Sequence, residues 1–180
     1  QRLSTVPGIE RIGLGSLTPT LMRDKFLSRI APIRAVLPHF HISLQSGSSS
    51  VLKRMRRPYN AEQAMEFVHS VREFFPEAML TADVIVGFPG ETKENFAELA
   101  EYLKQAQFDR LGVFTYSAEE GTPAARIKDG KVPEKTKQHR LDVIMRNQME
   151  IHEKNNKKFV GKTLKVLCDG FDIPSGVHSG

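Results

Sequence analysis

Residues 81–92 limit the fold more than any other stretch. They open on a short, nearly continuous apolar run, with Ala82, Val84, Ile85 and Val86 around Asp83. Such a run reads as a strand buried on both faces, as in a parallel sheet. Phe88, Pro89 and Gly90 then break it, because proline fixes φ and glycine tolerates positive φ. Thr92 is placed to cap a helix in which Phe96, Leu99, Ala100 and Leu103 recur at helical spacing. Strand, turn and amphipathic helix form half of a βαβ unit. Ligands of such units sit beyond the carboxyl ends of the strands, where residues 87–91 fall. A glycine turn after a strand is also ordinary loop geometry, so the stretch indicates topology before it indicates a site.

The remaining chain extends this pattern. Residues 9–17 read as a strand, with Gly13 and Gly15 marking close approach. Pro19 introduces a helix carrying Met22, Phe26, Leu27 and Ile30 on one stripe, and Pro32 ends it. Residues 39–45 alternate strictly: Phe40, Ile42 and Leu44 face one way, His39, His41, Ser43 and Gln45 the other. A polar loop leads into a short basic helix at 51–57, and a second helix at 61–75 buries Ala61, Ala64, Met65, Val68, Val71 and Phe75. After residues 81–92 and their helix comes a strand at 110–117. The order βαβαβαβ with helix-length spacers predicts an α/β fold with a parallel sheet.

Parity then separates the faces. Thr81, Asp83 and Gly87 oppose Leu80, Ala82, Val84, Val86 and Phe88, while Gly112, Phe114 and Tyr116 oppose Leu111 and Val113. One apolar and one polar face suits a TIM-type barrel sheet with helices outside and a working lumen inside. Four strands are too few to close a barrel, so the expected architecture is an open, partial one. Residues 134–160 read as a long charged helix with Leu141, Ile144, Met145 and Met149 as its apolar stripe. Gly161 ends it, residues 163–167 alternate as a strand, and residues 170–180 trail off in turn residues. The expected division is 1–160 and 161–180, the second piece too short to be a domain by itself.

Composition narrows the chemistry. The net charge of +5 mildly favours a polyanionic partner, and no apolar run is long enough to span a bilayer. Cys168 is the only cysteine among the 180 residues. One thiol excludes an internal disulfide, a multi-cysteine zinc site and an iron–sulfur cluster built from this chain alone. A reducing cytoplasm is the expected location. The chain opens on Gln1 rather than methionine, and the expectation is an excised piece of a longer protein.

Several side chains are candidates for function, each with a plainer alternative. His39 and His41 lie on one side of a strand, a spacing that metal-dependent barrel hydrolases use, with Asp83 on the next strand as an oxygen ligand. The favoured reading is the plainer one, that they are partly buried polar residues satisfied by neighbours. Asp83 is the expected catalytic carboxylate, since an ionised group on an inner strand face is costly unless paired. Lys53, Arg54, Arg56 and Arg57 form a basic cluster beside Tyr59 that suits RNA phosphates or, equally, a solvated helix face. Phe114 and Tyr116 are placed to stack on a flat ligand or simply to pack.

Four segments together carry a family resemblance: residues 44–48, residues 51–57, residues 83–92, and Tyr116-Ser117 with residues 120–125. In order and spacing they resemble the radical S-adenosylmethionine methylthiotransferases over nearly the whole chain. Members thiomethylate an adenosine beside the tRNA anticodon or an aspartate of a small-subunit ribosomal protein. They use two 4Fe-4S clusters whose ligating cysteines do not occur in this sequence. The resemblance implies that the chain holds the later strands of the barrel without its cluster loop and is inactive alone. It implies an open edge near residues 12–17 suited to self-association. It also implies that residues 161–180 begin a TRAM-like RNA-binding β-domain. By residue, it places Gln45 and Ser46 near the ribose or methionine part of S-adenosylmethionine, Gly87, Phe88, Pro89, Gly90, Glu91 and Phe114 near the adenine, and Asp83 facing the lumen. Residues 11–19 and 38–45 look like the enzymes acting on threonylcarbamoyladenosine in tRNA, whereas residues 110–117 and the long helix look like the ribosomal-protein modifiers. The tRNA branch is favoured, because the earlier segments line the expected lumen. Outside the family, a metal-dependent hydrolase using His39, His41 and Asp83, or an RNA-binding module without catalysis, are the alternatives.

Overall fold

A three-stranded parallel sheet forms from β1 (His39–Gln45), β2 (Met79–Val86) and β3 (Arg110–Thr115), in the order β1-β2-β3. Strand β2 alternates in burial like β1, instead of being buried on both faces as its apolar run suggests. The computed structural model describes residues 2–164, 168, 170–172 and 177–179. Phe40, Ile42 and Leu44 of β1 and Leu80, Ala82, Val84 and Val86 of β2 are buried on one face. Helices cover that face: α3 (Ala61–Phe74) through Ala64, Phe67, Val68 and Val71, and α4 (Lys93–Ala106) through Leu99, Leu103 and Ala106. Each large side chain so buried contributes about 1.5–3 kcal/mol before entropy is counted. The opposite face carries His41, Ser43, Gln45, Thr81, Asp83 and Ile85, all only partly buried. The parity expectation therefore holds: one face is core and the other is lumen-like.

Capping explains where the helices start. Asn60 accepts from the Gln63 amide and Gln63 reciprocates, and Thr92 and Asn95 repeat the arrangement at α4. Two shorter helices, α1 (Phe26–Ile30) and α2 (Ser49–Arg54), complete the first half. Ahead of α1, the expected helix begins as a tighter 3₁₀ turn at Pro19–Asp24, and Met22 is outside the residues whose side chains are described.

Three further expectations need correction. Residues 9–17 form no strand; they touch the sheet region through two isolated parallel bridges, Ile12 with Val36 and Leu17 with Ile42. Gly13 and Gly15 separate these bridges and leave no side chain to pack, so a continuous ladder does not form. Leu17 is nevertheless tied to β1, donating to the His41 carbonyl at 2.7 Å and accepting from the Ser43 amide at 2.9 Å.

The second correction concerns α5 (Glu134–Asn156), whose buried residues are Arg140, Ile144, Gln148, Ile151 and Asn155. Met145 and Met149 are exposed. The inward face is largely polar because it bonds to the ends of strands. Gln148 donates to the Phe108 carbonyl at 2.8 Å, Asn155 to Asp109 Oδ1 at 2.9 Å, and Asp109 Oδ2 accepts the Leu80 amide at 2.8 Å. A stripe built from hydrophobic periodicity misses a face that docks by hydrogen bonds.

The third lies at the end of the chain. Residues expected as loose turns pair as an antiparallel hairpin, β4 (Gly170–Asp172) and β5 (Val177–Ser179). The strand expected at 163–167 falls partly outside the described residues.

Candidate functional site

At the carboxyl end of β1 the chain leaves regular pairing. Ile42 pairs with Ala82 and the next pair is Gln45 with Val84, so β1 holds one residue more than β2 across this bulge. Bulges of this kind redirect side chains at sheet rims. Gln45 has φ +69°, a left-handed conformation that a non-glycine residue keeps only when its surroundings enforce it. The enforcement is visible: the Tyr59 hydroxyl donates to the Ser43 carbonyl at 2.6 Å and to the Leu44 carbonyl at 3.2 Å. Burial pushes the Tyr59 phenol up from its usual range. Tyr59 is thus an anchor under the loop and does not join the basic cluster. Ser46 is fully buried, and its hydroxyl accepts the Ser48 amide at 3.2 Å. This bond closes the 46–48 turn ahead of α2.

Beyond the strand ends lies a cleft of about 610 Å³. Gln45, Asp83, Ile85, Phe88, Phe114 and Tyr116 line it, together with Arg54, Arg56 and Arg57 and parts of the 117–127 stretch, Glu119 among them. The volume falls within the range of small-molecule sites. Phe114 is 55% exposed and offers a free aromatic face. The Tyr116 hydroxyl is buried with no hydrogen-bond partner among the described residues, an unusual state for such a group. Lys53 is exposed and does not line this cleft, so the basic cluster divides.

Asp83 projects from β2 into this cleft. Its Oδ2 lies 3.3 Å from His41 Nε2, and His41 Nδ1 is 2.9 Å from the Thr81 hydroxyl. Gly112 is its partner across the ladder, and a Cβ there would collide with the Asp83 carboxylate and crowd Phe114. The glycine thus makes room for the carboxylate to lie over β3. His39 reaches only the Thr81 hydroxyl, at 3.5 Å, rather than Asp83. Both His41 nitrogens face other partners, and among the described residues no group of three metal-binding side chains assembles. The hydrolase alternative finds no converging ligand set here.

The loop from Gly87 to Glu91 is held from behind. Gly87 has φ +75°, and a Cβ there would strike the Lys137 side chain of α5. Lys137 Nζ donates to the Tyr116 carbonyl at 2.7 Å and to Glu134 at 3.0 Å. Gly90 is also left-handed, lies under the Arg54 guanidinium, and donates its amide to the Gly130 carbonyl at 2.7 Å. Glu91 turns inward: Oε1 accepts the Gly87 amide at 2.8 Å and is ion-paired with Arg140 Nη1. Burial pushes the Glu91 carboxyl up, against the Gly87 amide and the Arg140 charge, which pull it down. Neither Glu91 nor Gly90 lines the cleft, and Gly87 and Pro89 border a second cleft of about 520 Å³ beside Lys131 and Lys137.

Of the expected ligand-facing residues, the structure brings Gln45, Asp83, Phe88 and Phe114 to one cavity, while Ser46, Gly87, Pro89, Gly90 and Glu91 do not line it. Sequence reasoning missed Gly112, Lys137 and Arg140. Only the pairing of a lone glycine in β3 with the position of Asp83 offered a signal, for the first of them.

Comparison with known proteins follows the same outline. The family model described as the radical SAM superfamily matches residues 3–103. A tRNA-2-methylthio-N(6)-dimethylallyladenosine synthase of Symbiobacterium thermophilum is 42% identical over 92% of this chain and 35% of its own length. A threonylcarbamoyladenosine tRNA methylthiotransferase of Thermotoga maritima is 38% identical, covering 99% of this chain and 41% of its own. A ribosomal protein uS12 methylthiotransferase of Thermosipho africanus is 40% identical over 94% and 39%. The chain thus spans about two fifths or less of the relatives it matches. Among solved structures, coproporphyrinogen III oxidase of Escherichia coli, a radical SAM enzyme, superposes with a TM-score of 0.61 at 21% identity, covering 84% of this chain and 34% of that one, which supports the shared barrel-type fold. An open sheet with one lumen-like face, a cleft at its carboxyl rim and a family match over more than half the chain lead to one conclusion: this chain belongs to the radical SAM superfamily.

Proposed function

We propose that the chain is the later part of the barrel of a methylthiotransferase that takes S-adenosylmethionine in the cleft at the carboxyl ends of β1–β3. The observation that carries this is the agreement of three methylthiotransferase relatives, at 38–42% identity over 92–99% of the chain, with a cleft of suitable size and lining. A half-exposed Phe114, an amide side chain on Gln45 and an unpartnered Tyr116 hydroxyl fit a ligand with a flat purine and polar sugar. An iron–sulfur cluster does not fit the residues here, since the only cysteine is Cys168. Bound S-adenosylmethionine supplies a methyl group and, in this superfamily, a carbon radical. This chain's part is placement: Phe114 stacks, Gln45 holds a polar group at the strand end, and Asp83, oriented by His41, faces the reacting centre.

For substrate we favour an adenosine of tRNA over an aspartate of a ribosomal protein. Arg54, Arg56 and Arg57 are among the residues lining the cleft, against Glu119 and Asp83 as the acidic ones, a balance that suits phosphates. Residues 161–180 then belong to a further RNA-binding β-unit, and the site of action is the cytoplasm. The full-length enzyme, given S-adenosylmethionine under reducing anaerobic conditions with unmodified tRNA or with ribosomal protein uS12, tests this by mass spectrometry. A methylthio group on tRNA alone is expected; one on the protein alone overturns the choice of substrate. Neutralising Arg56 and Arg57 should also lower the slope of log affinity against log salt for tRNA by about 2 at most.

A further inference from the structure

Glu91 Oε1 receives two donors at once, the Gly87 amide and Arg140. The side chains are almost wholly enclosed, 1% exposed for Glu91 and 7% for Arg140. Arg140 also donates to the Glu91 and Thr92 carbonyls, each at 3.3 Å, and lies against the Phe96 ring. Its direct contacts all lie at the α4 end of the turn between β2 and α4, and it reaches Gly87 at the β2 end only through Glu91. One helical turn earlier, Lys137 passes directly over Gly87 and fastens the Tyr116 carbonyl beyond β3. Gly87 is left-handed, and its amide is drawn back to Glu91 within the loop, while Lys137 and Arg140 of α5 back the two residues from outside it.

We propose that Arg140 is a positioning residue for the 87–91 loop, acting through Glu91, and that it thereby holds Phe88, the residue of this loop that lines the cleft, in place for S-adenosylmethionine. This rests on the assignment of the neighbouring cleft to that cofactor. Arg140 never reaches the cleft; its effect on the ligand is carried by one carboxylate oxygen and one amide. A guanidinium suits the task because its fork serves a carboxylate and two carbonyls together, which a lysine ammonium does with poorer geometry.

The test uses the full-length enzyme with its clusters assembled. S-adenosylmethionine affinity is measured by equilibrium dialysis, beside iron content and thermal unfolding, for wild type, Arg140→Lys, Arg140→Met and the double variant Glu91→Gln/Arg140→Met. Arg140→Met is expected to bind about tenfold more weakly at unchanged iron content, with the loss in KM rather than kcat. The double variant is expected to recover most of that affinity, because the Glu91→Gln side chain is uncharged and its carbonyl still accepts the Gly87 amide. Should Arg140→Met fail to fold, Arg140→Lys carries the test, with weakened affinity expected. Wild-type affinity in a folded Arg140→Met or Arg140→Lys enzyme overturns the proposal. A wild-type enzyme that does not bind S-adenosylmethionine overturns the cofactor assignment instead, and the two failures are distinct.

Discussion

Asp83 and Glu91 belong to the same strand–turn–helix unit, and each faces a basic side chain, His41 and Arg140 respectively, yet they live in opposite settings. Glu91 and Arg140 are sealed inside the protein, whereas Asp83 is 41% and His41 29% exposed at the cleft. A sealed pair loses hydration on both sides and must be complete to be tolerated. An open pair loses little when one partner is changed, because water screens what remains. The contrast separates frame from function: the pair with most to lose energetically holds the loop, and the pair with least to lose is free for chemistry.

The contrast is sharpest for substitution of Glu91. Glu91→Ala leaves Arg140 buried without a counter-charge, and unfolding in denaturant should show a loss of about 3–5 kcal/mol. A loss no larger than that of an ordinary surface variant would mean that the pair is not sealed. Gly87→Ala comes next. It demands a left-handed alanine and displaces Lys137, so about 1–3 kcal/mol should disappear from the same measurement. If stability is unchanged and only ligand binding falls, the glycine serves the cleft rather than the frame. Smallest in stability is Phe114→Ala, for an aromatic ring more than half exposed. Its unfolding free energy should stay within about 0.5 kcal/mol of wild type while S-adenosylmethionine affinity drops. A large stability loss would place Phe114 in the packing.

Sequence reading was strong where period and burial coincide. The alternation of residues 39–45 and the run through 80–86 gave both the parallel sheet and its two unlike faces, because side-chain parity is a local property. The cleft followed from the rule that ligands lie beyond strand ends. What stayed hidden was long-range and polar. Arg140 meets Glu91 from a distant helix, and no local pattern in a charged helix distinguishes one buried arginine from solvated neighbours. The same blindness made Met145 and Met149 look like core, although Gln148 and Asn155 face inward to bond the β3 connection. Resemblance places Ser46 and Glu91 near the ligand, and the folded structure shows Ser46 Oγ and Glu91 Oε1 bonded within the protein. The strand expected at 9–17 failed for a local reason, since two glycines leave too little side chain to sustain a ladder.

The most direct test pairs two isosteric neutralisations, Asp83→Asn and Glu91→Gln, in the full-length enzyme, each measured for unfolding free energy and for methylthiolation turnover. Asp83→Asn is expected to keep wild-type stability within about 1 kcal/mol and to lose turnover. Glu91→Gln is expected to lose roughly 2 kcal/mol or more. Equal stability losses in the two variants, or full turnover in Asp83→Asn, would contradict the division between a structural and a functional carboxylate.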